Sequence, residues 1–497
     1  MNSLLRGNFL SCLKPGFFVL FIFIFLGSAS SVDAVSEKQP EKNRLSQNHS
    51  VAEAKDKIEK KARPSWKISG RLRTNSFFCE RTGAKEDYGT NFNRYAPDKT
   101  ELYNPRGFVS ILSLDLQSPV VNNFSLFASH YLGTDFGTLE PFDYRMGKSG
   151  KDTFVPNTST GEPGNFNVTA QLFLKYQFEN FEAKVGRFIF DTILTHSNDT
   201  KAVPNTFTGL AIKQNFENKG VLTFAFLTLQ KLRNRNSFHD LLTFGTAEDD
   251  NDDSGMHKGL TRARLDASGK PEQRLLVLGW EKIEKRRHSR NFLYVVPQMF
   301  STAVIEGKWQ LNRARGKESP KITGWARLIE QKDQGAGAVG GGKLDGSAAP
   351  CGGSLDGRIW MIKLQANWNA HEAWLGYSQV ADRGDIVAPW RGFPTHGFTR
   401  NMTEVNWTAG TRSRMLAWNI NFEKMGLLKG ARLLTDISIH DRPETAGKIS
   451  SDARAWHCDL IYRIPRTEIE MKIRYLAHFG KAEQDFRDSR LEFNYLF

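Results

Sequence analysis

The clearest hydrophobic pattern closes the chain. In Leu491-Glu-Phe-Asn-Tyr-Leu-Phe497, the residues Leu491, Phe493, Tyr495 and Phe497 alternate with Glu492, Asn494 and Leu496. Alternation with period two puts the two sets on opposite faces of a strand. One aromatic face and one largely polar face suit a wall between lipid and water. For this segment alone an ordinary sandwich strand is the alternative. Alternating segments recur from Trp66 to the end, with no linker and no shift in composition. Their combined length suits about eighteen strands at roughly 24 residues per strand plus loop.

Connections between these segments exchange short for long. The short ones include Ser118–Asn123, Glu179-Asn180, Phe216–Lys219, Asn369–His371, Glu423–Gly430 and Ile464–Thr467. The long ones include 79–104, 133–167, 191–204, 231–272, 331–357, 381–411, 441–453 and 478–486. Short periplasmic turns and long external loops are the asymmetry of an up-and-down transmembrane barrel, and with both termini periplasmic the strand number is even. The expected fold is all-β, an antiparallel β-barrel of eighteen strands over residues 65–497. The segment 283–302 constrains that count least.

The N-terminus supplies the address. Arg6 and Lys14 precede an apolar run from Phe17 to Leu26, and Gly27-Ser-Ala-Ser follows. This is a secretory signal peptide over 1–34, with cleavage after Ala29 or Ala34, and it is too short to span as a helix. Cys12 precedes the apolar run, so it is no lipoprotein cysteine. No other stretch approaches the length of a transmembrane helix. Residues 35–64 are rich in Glu, Lys, Gln, Asn and Ser and read as a polar, mostly flexible periplasmic extension. A mean hydropathy of -0.46 alone allows a periplasmic, secreted or outer-membrane protein. The C-terminal strand favours the outer membrane of a bacterium, where the assembly machinery reads such a terminus.

Cys79, Cys351 and Cys458 remain in the mature chain. An odd number in an oxidising compartment permits one bridge at most. Spacing leaves a Cys79–Cys351 bridge open, and Cys458 reads as a small hydrophobe within a strand. The formal net charge of +14 bears on what passes through, not on the fold. Asp250-x-Asp252-x-Ser254-Gly255 imitates the start of a calcium loop, but Thr261 stands where a bidentate Glu is required, so no metal centre is expected. Gly335–Gly357, rich in Gly, Ala and Asp, reads as a mobile loop.

Several segments resemble the OprD family of substrate-specific porins. One runs Phe181-Glu-Ala-Lys-Val-Gly-Arg187, then Asp191-Thr192, Asp199 and Val203-Pro-Asn-Thr-Phe-Thr-Gly209. A second is Ala388-Pro-Trp-Arg-Gly-Phe-Pro-Thr-His-Gly-Phe-Thr-Arg400, followed by Asn406-Trp407-x-Ala409-Gly410-Thr411. The third is Gly426-Leu-Leu-Lys-Gly430 with the strand that leads to His440-Asp441. These lie in family order over residues 181–497; the first hundred barrel residues match less visibly. The resemblance implies an eighteen-stranded channel, a monomer or loose homotrimer, whose third and seventh external loops fold into the lumen. Here those are about 191–204 and 381–411. It also implies small carboxylate-bearing solutes, such as amino acids, small organic acids or short peptides, and an arginine ladder facing acids on the inward loops.

Strand parity then nominates residues. On 469–475 the apolar set Ile469, Met471, Ile473 and Tyr475 leaves Glu470, Lys472 and Arg474 inside. Trp456, Leu460, Tyr462 and Ile464 leave His457, Asp459 and Arg463 inside; Arg432 and Asp436 face in on 431–439, and Lys67, Ser69, Arg71 and Arg73 on 66–75. Because the last strand of a closed barrel pairs with the first, Arg71, Arg73, Arg432, Arg463, Lys472 and Arg474 fall in one sector. A row of cations in a low-dielectric wall draws anionic groups, and an arginine fork matches a carboxylate. Asp191 and Asp199 on the third loop would meet a positive group of the same solute. The other reading pairs these cations with Asp436, Asp459, Glu470 and Glu492. Arg187, Arg412 and Arg414 share parity with apolar neighbours and belong at a rim, where Arg412 and Arg414 suit lipopolysaccharide phosphates.

Other classes find less support. His371-Glu372 does not extend to HExxH, since Leu375 stands where the second His belongs, and no GxSxG, phosphate loop or CxxC site occurs. No enzyme, cofactor or nucleic-acid partner is expected. A barrel lipase or protease, an adhesin and a structural barrel remain the alternatives, and a siderophore transporter would need a plug domain ahead of the strands.

Overall fold

A computed structural model of the chain describes residues 65–82, 104, 106–138, 166–199, 203–217, 219–233, 236–243, 260–269, 273–312, 319–340, 354–402, 405–443, 452–480 and 485–497. The signal peptide, the polar extension, the acidic block at 248–255 and Cys351 lie outside the described residues. The first six strands are β1 (Lys67–Thr82), β2 (Arg106–Gln117), β3 (Phe124–Thr134), β4 (Phe166–Phe178), β5 (Phe181–Phe188) and β6 (Thr206–Asn215). The next six are β7 (Gly220–Lys231), β8 (Leu275–Ile283), β9 (Arg287–Val296), β10 (Phe300–Gln310), β11 (Lys321–Asp333) and β12 (Gly357–Trp368). The last six are β13 (His371–Val380), β14 (Arg412–Asn421), β15 (Ala431–Asp441), β16 (Ala453–Arg463), β17 (Ile469–Gly480) and β18 (Asp485–Leu496). Two short helices, α1 (Arg262–Ala267) and α2 (Ala336–Gly340), lie in long connections.

Each strand pairs antiparallel with the next, and β18 returns to β1, from Arg71 opposite Leu496 to Thr82 opposite Asp485. The eighteen-stranded sheet is therefore a closed barrel. Closure extends one residue past β18, because the Gly70 and Phe497 amides donate to each other's carbonyls at 2.8 and 3.1 Å. Closed pairing satisfies the backbone without leaving an edge, which is what a β-structure in lipid requires.

The faces follow from the alternation. On β18 the residues Phe486, Asp488, Arg490, Glu492 and Asn494 are buried, while Phe493 and Tyr495 are exposed outward. Cys458 shares the outward parity of Trp456 and Leu460, and Cys79 is buried on the lumen side against Ala455, Leu476 and Phe486. Turns at the short end use residues that tolerate positive φ, including Asn122 and Asn123 at 49° and 70°.

Two features depart from the sequence pattern. Strands run past the expected loop boundaries, β1 to Thr82 and β17 to Gly480, because backbone pairing continues beyond the stretch where side chains alternate cleanly. The exchange of short for long connections also fails once. The segment 283–302 holds the end of β8, all of β9 and the start of β10, joined by 284–286 and, at the long-loop end, by 297–299. Gln298 supplies a φ of 61° and the Met299 amide donates to Val296 at 3.1 Å, which closes that hairpin tightly. The compensating length falls at 311–320, where the Asn312 side chain donates to the Pro320 carbonyl and accepts from the Ile322 amide.

A Cβ at Gly70 would stand 2.5 Å from both the Phe497 ring and the Ser113 carbonyl oxygen. Gly70→Val should therefore weaken the closing seam by about 1–3 kcal/mol, the usual cost of overpacking. The check is the temperature at which the folded barrel loses its faster migration in SDS gels; an unchanged transition would show that the seam tolerates the added bulk.

Candidate functional site

The interior is occupied unevenly. The connection between β5 and β6 turns inward, with Ile193, Leu194 and Thr195 buried, and so does the connection between β13 and β14, with Ile386, Val387, Ala388, Trp390 and Trp407 buried. These are the third and seventh long-end loops, at the positions the sequence nominates. They dock on each other: the His196 amide donates to the Trp390 carbonyl at 3.0 Å and the Gly392 amide to the Leu194 carbonyl at 3.1 Å. A Cβ at Gly392 would overlap the Leu194 backbone, so only glycine permits that approach.

Both loops are fastened to the wall through lumen-facing side chains. Tyr294 Oη is 2.7 Å from Thr192 Oγ1 and accepts from the Leu194 amide at 3.2 Å. Trp390 stacks on Tyr294 and Phe300, with centroids 6.0 and 5.9 Å away, and its indole N–H donates to Leu241 in the connection after β7. Gln331 Oε1 accepts from the Val387 amide at 3.1 Å, and Asn401 Nδ2 donates to Ser438 Oγ at 2.8 Å. Arg327 pairs with buried Glu306 and donates to the Pro394 carbonyl at 2.7 Å. An apolar core thus sits inside the barrel against β5 to β13.

Charge gathers on β15 to β18 and β1. Asp199, from the third loop, receives Arg71 Nη1 at 2.7 Å and Arg73 Nη1 at 3.0 Å. Arg73 Nε donates to Asn494 at 2.9 Å, and Asn494 Nδ2 donates to Glu492 at 2.8 Å. Asp199 lies deep in the lumen yet keeps 28 % of its side chain accessible, and Arg71 keeps 15 %. Burial opposes ionisation of Asp199, but the Arg73 and Arg71 guanidiniums override it and hold the carboxyl from its ordinary 3.8 down to about 2. The second cluster centres on Asp459. Arg474 reaches it bidentately at 2.9 and 3.0 Å, Lys472 stands at 3.3 Å, and His457 bridges it to Asp436 at 2.8 Å on each side.

Of the six nominated cations, four therefore converge in two pairs. Arg432 and Arg463 keep the lumen parity but lie near the short turns, Arg463 3.7 Å from Glu470 and well exposed. The two nominated acids part ways. Asp199 meets the wall, whereas Asp191 stays exposed and caps its own loop, accepting from the Ser197 amide at 2.6 Å. The pairing of cations with Asp459, Glu470 and Glu492, weighed above as the other reading, is present beside the Asp199 contacts.

Parity did not single out the facing wall. There Arg290 Nε meets Glu281 at 3.0 Å, and Lys308 and Lys363 stand 4.5 and 4.2 Å from the Trp325 ring centroid. The lumen face of β9 also carries buried Phe292 and Tyr294, so neither face of that strand reads as polar.

Comparison with solved structures identifies the architecture. OccK9 (OpdG) of Pseudomonas aeruginosa matches with a TM-score of 0.67 at 15% identity, over 87% of this chain and 98% of that one. A BenF-like porin from Pseudomonas fluorescens Pf-5 matches at 0.64 and 15%, over 87% and 98%. Pseudomonas aeruginosa OpdK, solved with vanillate, matches at 0.64 and 14%, over 86% and 98%. The chain has the fold of these porins. No family model and no curated protein matches the sequence. The fold is the one implied by the OprD resemblance.

Asp199→Asn should unpin the third loop from β1 and raise single-channel conductance. The acid dependence has a defined sign. A carboxyl depressed in the folded state contributes stability above its unfolded value near 3.8, and that stability is lost as pH falls through about 2. Wild-type conductance should hold at neutral pH and change only between these values, while the Asn variant lacks the step. A wild type insensitive over that window would show that the Asp199 pairs do not hold the loop.

Proposed function

We propose that this chain is an outer-membrane porin of the OprD type, a passive and selective channel for small water-soluble solutes that carry a carboxylate. A closed strand barrel with an outward apolar face, a charged interior and no exposed backbone edge supports the membrane setting. On this reading residues 1–34 direct export, 35–64 form a periplasmic extension, and the assembly machinery recognises the strand ending at Phe497. The barrel sits among outer-membrane lipid and lipopolysaccharide as a monomer or loose homotrimer.

One observation carries the selectivity: Asp199 stands between Arg71 and Arg73 with the group still partly accessible from the lumen. A permeant carboxylate can take the place of the Asp199 carboxylate on these guanidiniums, and an ammonium on the same solute can satisfy Asp199. The exchange keeps every charge paired, so desolvation costs little. Lys472 and Arg474 of β17 lie roughly 10 Å away across two strand spacings, past Arg490 of β18, which pairs with Asp488. Arg432 and Arg463 follow toward the short-turn end. Stepwise binding of this kind lets a solute enter without becoming trapped. Vanillate, the acid in the OpdK structure, belongs to the same chemical class.

Planar-bilayer recording and liposome swelling with small carboxylates, basic amino acids and neutral sugars test this reading. Carboxylates should block the wild-type conductance in a concentration-dependent way, with sugars inert. Arg71→Ala with Arg73→Ala, and separately Arg432→Ala with Arg474→Ala, should each lower carboxylate flux about tenfold, given the strength of a charge-assisted hydrogen bond. Equal flux in wild type and both variants would leave the arginines as structural ion pairs in an unselective pore.

A further inference from the structure

We propose that the outer face of β11 to β16, at the long-loop end, is a binding site for phosphorylated lipid headgroups. The inference goes beyond the channel and rests on the membrane reading above.

The strand register builds the site. On β11 the outward positions include Glu330 and Lys332, and Glu330 lies opposite Arg358 of β12. On β14, Arg412 and Arg414 lie opposite Gln379 and Tyr377 of β13, and Arg412 also faces Asp441 of β15. Ile439 of β15 lies opposite Arg454 of β16. Arg383, at the start of the seventh loop, joins the row by donating to Glu330 at 2.5 Å. Lys332, Arg358, Arg383, Arg412, Arg414 and Arg454 thus span six adjacent strands, roughly 24 Å of wall at the usual strand spacing. Two acids, Glu330 and Asp441, share these outward strand faces, which leaves the row positive.

Its chemistry is that of an anion site at a lipid boundary. The Lys332, Arg358 and Arg414 side chains are 56, 50 and 60 % accessible, facing out rather than into the lumen. Glu330 accepts from both Arg358 and Arg383 and so holds two guanidiniums side by side. Each guanidinium keeps further N–H donors, and the planar fork matches phosphate oxygens. Immediately below, two residues along the same faces, the wall becomes apolar and aromatic. Trp360 pairs with Tyr377 at 5.1 Å, Trp456 with Tyr475 at 5.5 Å, and Leu328, Leu416 and Ile437 are exposed beside them. Aromatic rings at headgroup depth with cations above them place acyl chains and phosphates on the matching groups. Strand parity excludes a lumen role for Lys332, Arg358, Arg412, Arg414 and Arg454, whose neighbours in sequence are the buried positions.

The test uses the full chain in phosphatidylcholine bilayers containing a minor fraction of lipid A or of its dephosphorylated form. Lipid retained on the barrel after detergent release is counted by native mass spectrometry. Wild type should retain lipid A over the dephosphorylated lipid, and salt should weaken the retention. Arg358→Ala with Arg412→Ala and Arg414→Ala should reduce retention on the order of a hundredfold, at about one lost cation contribution per residue. The two lipids bound equally by wild type, or an unaffected triple variant, would overturn the proposal. Displacement by inorganic phosphate with no preference between the lipids would overturn it too, assigning the row to free anions. Insertion into pure phosphatidylcholine reads the membrane setting separately. A wild type that fails to insert overturns both readings, whereas insertion without phosphate discrimination overturns this one alone.

Discussion

An eighteen-strand sheet would have two edges, and the pairing of β1 with β18 removes both. Everything else in this molecule presupposes that seam. It gives each strand a lumen face and an outward face, so each polar side chain is committed to water or to the wall. It also brings Arg73 beside Asn494 and Glu492, residues from opposite ends of the chain. The packing of Phe497 over Gly70 shows how little room the seam leaves. Such a fold depends on hydrogen bonds satisfied within the barrel rather than on a conventional buried core.

The apolar core that does exist is inside the barrel, and the chain puts it there with two loops. Trp390, Leu194 and Tyr294 pack where an open barrel would hold water, and the loop backbone is satisfied by Gln331, Tyr294 and Arg327. Filling one side of the lumen leaves the charged sector of β15 to β18 and β1 to meet whatever passes. That sector is not a bare row of cations. Buried arginines need partners, and Asp199, Asp459 and Glu492 supply them. The proposed selectivity rests on this pairing, since a solute that exchanges into the pairs leaves no charge unpaired. The same seam and alternation leave an outer row of cations at one end of the wall, where they touch neither lumen nor core.

The alternation by itself determined a great deal. Period two over 491–497 and in the earlier segments gave the strand faces. The lumen positions of Lys472, Arg474, Asp459 and Arg73 followed from parity alone, as did the outward positions of Arg412 and Arg414. Parity works there because one face of each strand is apolar and the other is not. It was uninformative over β9 and β10, where inward loops cover the lumen and hydrophobes occupy both faces, Phe292 and Val304 inward, Leu293 and Ile305 outward. The hairpin at 297–299 hid in that stretch for the same reason.

Tertiary structure decided the pairings. Asp191 and Asp199 are equivalent in the sequence, both acids of one loop, yet one caps its own turn and the other reaches β1. No local pattern separates them, because the difference lies in where the loop lands after crossing the lumen. The convergence of four cations into two clusters, with Arg432 and Arg463 apart, likewise depends on register between strands. Side-chain period is a property of one strand and is written in its residues. Which charge meets which is a property of closure and loop docking, and only the assembled barrel contains that information.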